Sequence, residues 1–180
     1  FTLGESAATI EKREDGKFIV TTDKGTQHLA PSVAIAGGLG VFTPRKPPIE
    51  GLSAYENKGV DYIIKDPEKF RDQRVVISGG GDSALDWTIF LADVAKEVSL
   101  VHRRNSFRGR LDSVDKVHAL AEAGKVKLIT NAEVKDVAGD EGVESVLIKS
   151  KEHGELSLEC DYWLPLFGLT PTLGPIADWG

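Results

Sequence analysis

At 180 residues, 41% of them apolar and 28% charged, the chain is long enough for one domain with a real core and part of a second. A net charge of −6 excludes a general nucleic-acid or anionic-membrane surface, so any anion site must be local. No apolar run approaches the roughly eighteen residues of a membrane helix, and a single cysteine, Cys160, excludes an internal disulfide, a CxxC pair and a Cys-rich zinc site.

Cys160 reads as a buried structural thiol. No basic and apolar leader pattern opens the chain at Phe1, Thr2 and Leu3, and Met is absent. Both features suggest a segment of a longer, cytoplasmic protein.

Partial alternation predicts strands over Ala7 to Lys12, Lys17 to Thr22 and Thr26 to Ala30, with hairpin turns at Asp15-Gly16 and Lys24-Gly25. The apolar run Val33 to Ala36 predicts a buried strand that delivers a glycine-rich loop at Gly37. Pro44, Pro47 and Pro48 then mark a linker. Asp66-Pro67-Glu68 predicts an N-cap with proline at the first helical position, opening a short helix.

Arg74 to Ser78 reads as a compact strand followed at once by three glycines. Helical spacing runs from Asp82 to Lys96 and again from Asp112 to Ala123, the second closed by Gly124. Strands are expected over Val98 to Val101, Val126 to Thr130, Val134 to Val137, Val143 to Lys149, Leu156 to Leu158 and Tyr162 to Phe167, with a hairpin turn at His153-Gly154. The order βαβαβ followed by a β-meander defines an α/β, Rossmann-like doubly wound domain.

The strongest motif is Val75-Val76-Ile77-Ser78-Gly79-Gly80-Gly81-Asp82-Ser83-Ala84, which matches G-x-G-x-x-G/A. Gly79 permits a tight turn off the strand. Gly81 lacks the β-carbon that would keep a pyrophosphate from the backbone. Ala84 lets the helix pack closely, and the helix start points unpaired N–H groups at the phosphates.

At the end of the next strand, an NAD site would carry an acidic residue. Here the chain reads Val101-His102-Arg103-Arg104, with Arg108 shortly after. Guanidinium groups suit a 2′-phosphate, which favours NADPH over NADH. Asp86, one turn after Asp82, is a candidate partner for the nicotinamide ribose, or simply a residue on a solvated helix face. His28, His118 and His153 show no metal-ligand spacing. Trp87, Trp163 and Trp179 read as core aromatics.

Gly79 to Ala84, followed by His102-Arg103-Arg104 and Phe107-Arg108, resembles the NADPH domain of low-molecular-weight thioredoxin reductases. Gly81 to Trp87, and the tail from Phe167-Gly168-Leu169 through Leu173 to Ile176 and on to Trp179, are closer to the thioredoxin-reductase-like ferredoxin–NADP+ oxidoreductases of the pyridine nucleotide-disulfide oxidoreductase superfamily. The resemblance implies a two-domain flavoprotein, a homodimer when intact, in which NADPH reduces FAD and ferredoxin takes the electrons. The stretch Gly59 to Asp66 falls where thioredoxin reductases carry a CxxC, and it has no cysteine.

The resemblance also divides the chain into a β-rich remnant of an FAD domain over 1–46, an NADPH domain over 47–166 and a return segment over 167–180. It places Ala7, Ala36 and Gly37 near the flavin nucleotide, in a flavin site that is incomplete in this chain. On this reading the cofactor-binding residues are Gly79, Gly80, Gly81, Asp82, Ser83, Asp86, His102, Arg103, Arg104 and Arg108, with no catalytic side chain. Two other readings stay open: a thioredoxin reductase homologue with another acceptor, and a module that binds NADPH without turnover.

Overall fold

The structure is a computed structural model and describes residues 1–36, 42–152, 154–171 and 179. The chain divides into two compact units, Phe1–Thr43 with Thr170–Gly180, and Pro44–Leu169.

In the first unit β1 (Ala7–Lys12), β2 (Phe18–Thr22) and β3 (Gln27–Ala30) form an antiparallel meander. Its turns fall at Gly16 and Gly25, whose φ of 81° and 84° only glycine adopts without strain. The indole Nε1–H of Trp179 donates to the Ala8 carbonyl (3.0 Å), so this tryptophan is half-buried against β1. One expectation fails here. Val33 to Ala36 form no strand and are exposed. Apolar sequence makes a strand only where another edge offers hydrogen bonds and cover, and among the described residues nothing pairs with this run. Gly37 lies outside the described residues, as does His153.

Short strands β4 (Phe42–Pro44) and β12 (Leu169–Pro171) pair with each other. The larger unit is built on a parallel sheet of β5 (Arg74–Ser78), β6 (Glu97–Val101), β7 (Val126–Ile129) and β11 (Tyr162–Pro165), in the order β11-β5-β6-β7. Alternation along its strands feeds two cores. Val75, Ile77, Val98, Leu100 and Leu164 face α1 (Asp82–Leu91) and α2 (Leu111–Glu122), packing with Leu85, Leu91 and Val117. Val76, Val101 and Trp163 face the other way, onto the antiparallel meander of β8 (Ala132–Ala138), β9 (Ser145–Ser150) and β10 (Gly154–Glu159). The sheet is therefore the middle of three layers, which is why its strands read as continuous apolar runs.

The turn before β5 is a 3-10 segment, Pro67–Phe70, with Asp66 accepting from the Glu68 N–H (3.0 Å) as the N-cap. Helix α1 stops at Leu91, five residues before the Lys96 that periodicity predicts. The Val94 and Ala95 N–H groups both turn back to the Leu91 carbonyl, and Lys96 N–H reaches Gln73, because β6 must begin at Glu97 opposite Arg74. Register with the sheet overrides helix propensity. Cys160 is fully buried in the meander-side core, and burial pushes its thiol up to about 12.

Candidate functional site at the carboxyl ends of the parallel strands

β5 lies between β6 and β11, so the chain leaves Ser78 at the point where the sheet's connections run in opposite directions. Backbone bonds from Gly79 N–H to Val101 O (3.2 Å) and from Leu166 N–H to Ser78 O (2.8 Å) bind the turn to both neighbours. Below it, the buried Trp163 indole donates to Ser78 Oγ (2.9 Å).

The three glycines have three different surroundings. A β-carbon on Gly79 would stand 2.6 Å from Ala84 Cβ and 2.7 Å from the Leu166 carbonyl oxygen. One on Gly80 would land in the His102 ring. One on Gly81 would meet nothing within 4 Å. Gly79 and Gly80 are thus required by packing, whereas the β-carbon position of Gly81, at the start of α1, is open space. Ala84 and Leu85 N–H close back on the Gly81 carbonyl, and the N–H groups of Asp82 and Ser83 ahead of them have no helical acceptor. The helix dipole adds positive potential there. Ser83 is exposed on this first turn.

After β6 the chain enters a loop that is tethered at several points. His102 is bonded on both sides, through its N–H to Ile129 O (2.8 Å) and its carbonyl to Ala132 N–H (3.0 Å). Arg108 N–H donates to Gly80 O (2.8 Å), and Arg110 N–H donates to Asp82 Oδ1 (2.7 Å). Gly109 fits against Leu85 and Asp82, where a β-carbon would be 3.1 Å from Asp82 Oδ1 and closer still to Leu85. Ser113 Oγ donates to Asp86 Oδ1 (2.9 Å).

Asp82 and Asp86 are therefore engaged with the start of α2, holding the loop against the glycine turn. Sequence reasoning assigned Asp86 no such partner, and it overlooked Gly109 and Arg110. The triplet Arg108-Gly109-Arg110 is the signal that marks both.

On this tethered loop Arg103, Arg104, Arg108 and Arg110 are all exposed. Among the described residues no carboxylate forms an ion pair with any of the four, in a chain whose net charge is −6. His102 differs from its neighbours. The residue is only 8% exposed, and its ring lies under Gly80 and stacks on Phe107 with centroids 4.9 Å apart. Burial, with Arg103 and Arg104 adding to it, pushes the ring below its ordinary pKa, against hydrogen bonds to the backbone of Ser106 and Gly79.

The structure thus brings together Gly79 to Ser83, Asp86, His102, Arg103, Arg104 and Arg108 around one turn. Ala7 and Ala36 belong to the other unit, where both are exposed. Neither supplies a polar side chain, and these two alone make no flavin cradle. Among the described residues no group of three metal-ligating side chains occurs, and no helix is long and apolar enough to cross a membrane.

The parallel sheet with its glycine turn defines a Rossmann-like α/β domain. Residues 2–179 match the family model described as pyridine nucleotide-disulphide oxidoreductase, and the chain belongs to that family. It is 67% identical over its whole length to 51% of a ferredoxin–NADP reductase of Flavobacterium johnsoniae. It is 64% identical to 52% of ferredoxin–NADP reductase 1 of Christiangramia forsetii. It spans about half the length of these relatives. Among solved structures, the thioredoxin reductase of T. acidophilum superposes with a TM-score of 0.80 at 27% identity, over 98% of this chain and 56% of that one.

Proposed function

We propose that Pro44–Leu169 is the NADPH-binding unit of a flavin-dependent ferredoxin–NADP reductase. The observation that carries this reading is the pairing of open space over Gly81 with arginines that form no ion pair among the described residues, on a loop bonded to the same turn. Dinucleotide pyrophosphate can approach the backbone at Gly81, where the N–H groups of Asp82 and Ser83, which have no helical acceptor, and the start of α1 favour negative charge. Arg103, Arg104 and Arg108 fit a 2′-phosphate, which only the phosphorylated dinucleotide carries. Gly79, Gly80 and Ala84 keep strand, turn and helix in contact. Asp82 and Asp86 hold the arginine loop in place through Arg110 and Ser113.

When bound, NADPH supplies a hydride and the protein supplies position and electrostatics. No side chain in the site is needed as acid or nucleophile. The lone Cys160 is buried with its thiol protonated, which disfavours disulfide reduction by this chain. Ferredoxin as acceptor is supported by the names of the relatives. FAD held by the protein beyond this unit, a homodimer and a cytoplasmic setting complete the proposal and rest on the family resemblance.

Calorimetric titration with NADP+ and NAD+ tests the core of it. At least tenfold preference for NADP+ is expected, and equal affinity for the two, or none, overturns the assignment. Reduction of ferredoxin by NADPH in the longer protein that contains this chain tests the remainder.

A further inference from the structure

We propose that Arg110 is a further dinucleotide-binding residue, whose guanidinium pairs with the pyrophosphate and leaves the 2′-phosphate to Arg103, Arg104 and Arg108. The inference rests on the NADPH reading above and adds a side chain that this reading uses only through its backbone.

Arg110 is held at the first turn of α1 by its main chain. Its N–H donates to Asp82 Oδ1 (2.7 Å). The preceding Gly109 passes so close that a β-carbon there would stand 3.3 Å from the Asp82 backbone nitrogen. That nitrogen is one of the two at this helix start with no helical acceptor. The Arg110 side chain, attached beside it, is exposed, and among the described residues it forms no ion pair. Its guanidinium does not pair even with the Asp82 carboxylate, to which its own backbone is bonded.

Placement separates Arg110 from its neighbours. Arg103 and Arg104 follow β6, and Arg108 N–H is fixed to the Gly80 carbonyl (2.8 Å). Among the described residues Arg110 alone of the four is bonded to α1 itself. Charge then gives it a task. The pyrophosphate proposed over Gly81 is doubly negative, and the Asp82 carboxylate adds a further negative group at the same turn. Backbone N–H groups and a helix start favour an anion through partial charges, but they do not cancel a carboxylate beside it. A guanidinium at this point offsets both, and its planar, always-charged donors suit two phosphate oxygens at once.

The test is calorimetric titration of wild type and Arg110→Gln with three probes. These are NADP+, 2′-phospho-ADP-ribose, which lacks the nicotinamide, and 2′-AMP, which keeps the 2′-phosphate and has no pyrophosphate. Affinity for the first two should fall by the same factor, about tenfold, and affinity for 2′-AMP should not change. The tether to Asp82 is a main-chain bond, so the substitution leaves it in place, and the 2′-AMP titration reports whether the loop is intact.

An equal loss for all three probes overturns the proposal, because Arg110 would then serve the 2′-phosphate or the loop. A loss confined to NADP+ overturns it too, by moving Arg110 to the nicotinamide half of the ligand. So does unchanged affinity for all three. Each of these results leaves the NADPH reading standing, whereas a wild type that binds no NADP+ removes that reading and this inference with it. Arg110→Ala should give the same pattern as Arg110→Gln, and either folded variant alone decides.

Discussion

Arg74 and Arg103 lie at opposite ends of the same parallel sheet, and the fold treats them in opposite ways. Arg74 opens β5 and donates to Asp161 through Nη2 (2.8 Å) and Nε (3.3 Å), and to Glu159 through Nη1 (2.6 Å). These bonds, led by Asp161, raise the guanidinium's pKa and hold the Asp161 carboxyl below its usual range. Arg103 follows β6, and among the described residues it forms no ion pair with a carboxylate, nor do Arg104, Arg108 and Arg110. Topology explains the contrast. β11 enters the sheet beside β5, so Asp161 arrives next to Arg74 as a strut. At the far end the connections diverge, and the loop that bears the other arginines is held by backbone bonds and by the Asp82 carboxylate, which accepts from the Arg110 backbone and not from a guanidinium. One end of the sheet uses its charge for the fold, and in the proposed reading the other keeps it for a ligand.

The glycine turn gives the largest effects with which to break this contrast. Gly81 has φ −102° and ψ 179°, an extended backbone that any residue adopts, and its β-carbon position is empty. Gly81→Val should therefore fold, losing about 1 kcal/mol as a poorer N-cap, while NADP+ binding falls more than about a hundredfold. Gly79→Ala should cost more stability, about 1–3 kcal/mol, through overpacking against Ala84 and Leu166. Denaturant midpoints and NADP+ titrations on both variants decide. Normal binding by a folded Gly81→Val would show that the open space over Gly81 is not where the phosphates lie.

Next in size are the arginines themselves. Arg103→Ala should weaken NADP+ roughly ten- to a hundredfold, the worth of one charged contact, and leave NAD+ affinity and melting temperature unchanged. Arg74→Ala should leave both affinities unchanged and lower stability by about 1 kcal/mol or less, since its ion pairs are partly exposed and screened. Equal losses of NADP+ and NAD+ affinity in Arg103→Ala would remove the 2′-phosphate from the arginine loop.

What could be seen in the sequence divides along the same line. β5, the glycine turn and the start of α1 are written in adjacent residues, and α2 closes at Gly124 with φ 74°, as its pattern predicts. Contacts between distant segments were hidden. Nothing local announces that Asp82 accepts from Arg110, 28 residues on, or that Asp86 accepts from Ser113. His102 reads as one more cation beside Arg103, and only the fold shows it buried under Gly80. The early end of α1 and the exposed Val33 to Ala36 have one cause. Periodicity and apolarity state what a segment prefers, but the available sheet edges decide what it forms.

The smallest effect sharpens the paired end of the comparison through its pH dependence. Hydrogen bonds from the Arg74 guanidinium, the largest influence, together with that residue's backbone N–H, lower the Asp161 pKa against the opposing effect of burial. In the unfolded chain an aspartate titrates near its ordinary value of about 3.9. A group whose pKa is depressed by folding stabilises the fold above its unfolded value and loses that contribution as pH falls through the folded one. Wild type should thus exceed Asp161→Asn in urea midpoint by a constant margin from pH 7 to 5, and the margin should close as the pH drops below about 4. The margin should be under about 1 kcal/mol, because the Asp161 side chain is 34% exposed and Asn keeps one oxygen for the Arg74 N–H. NADP+ affinity at pH 7 should not differ between the two proteins. A margin that widens on acidification would mean that Asp161 is protonated more readily in the folded chain than in the unfolded one, and Arg74 would then be no strut.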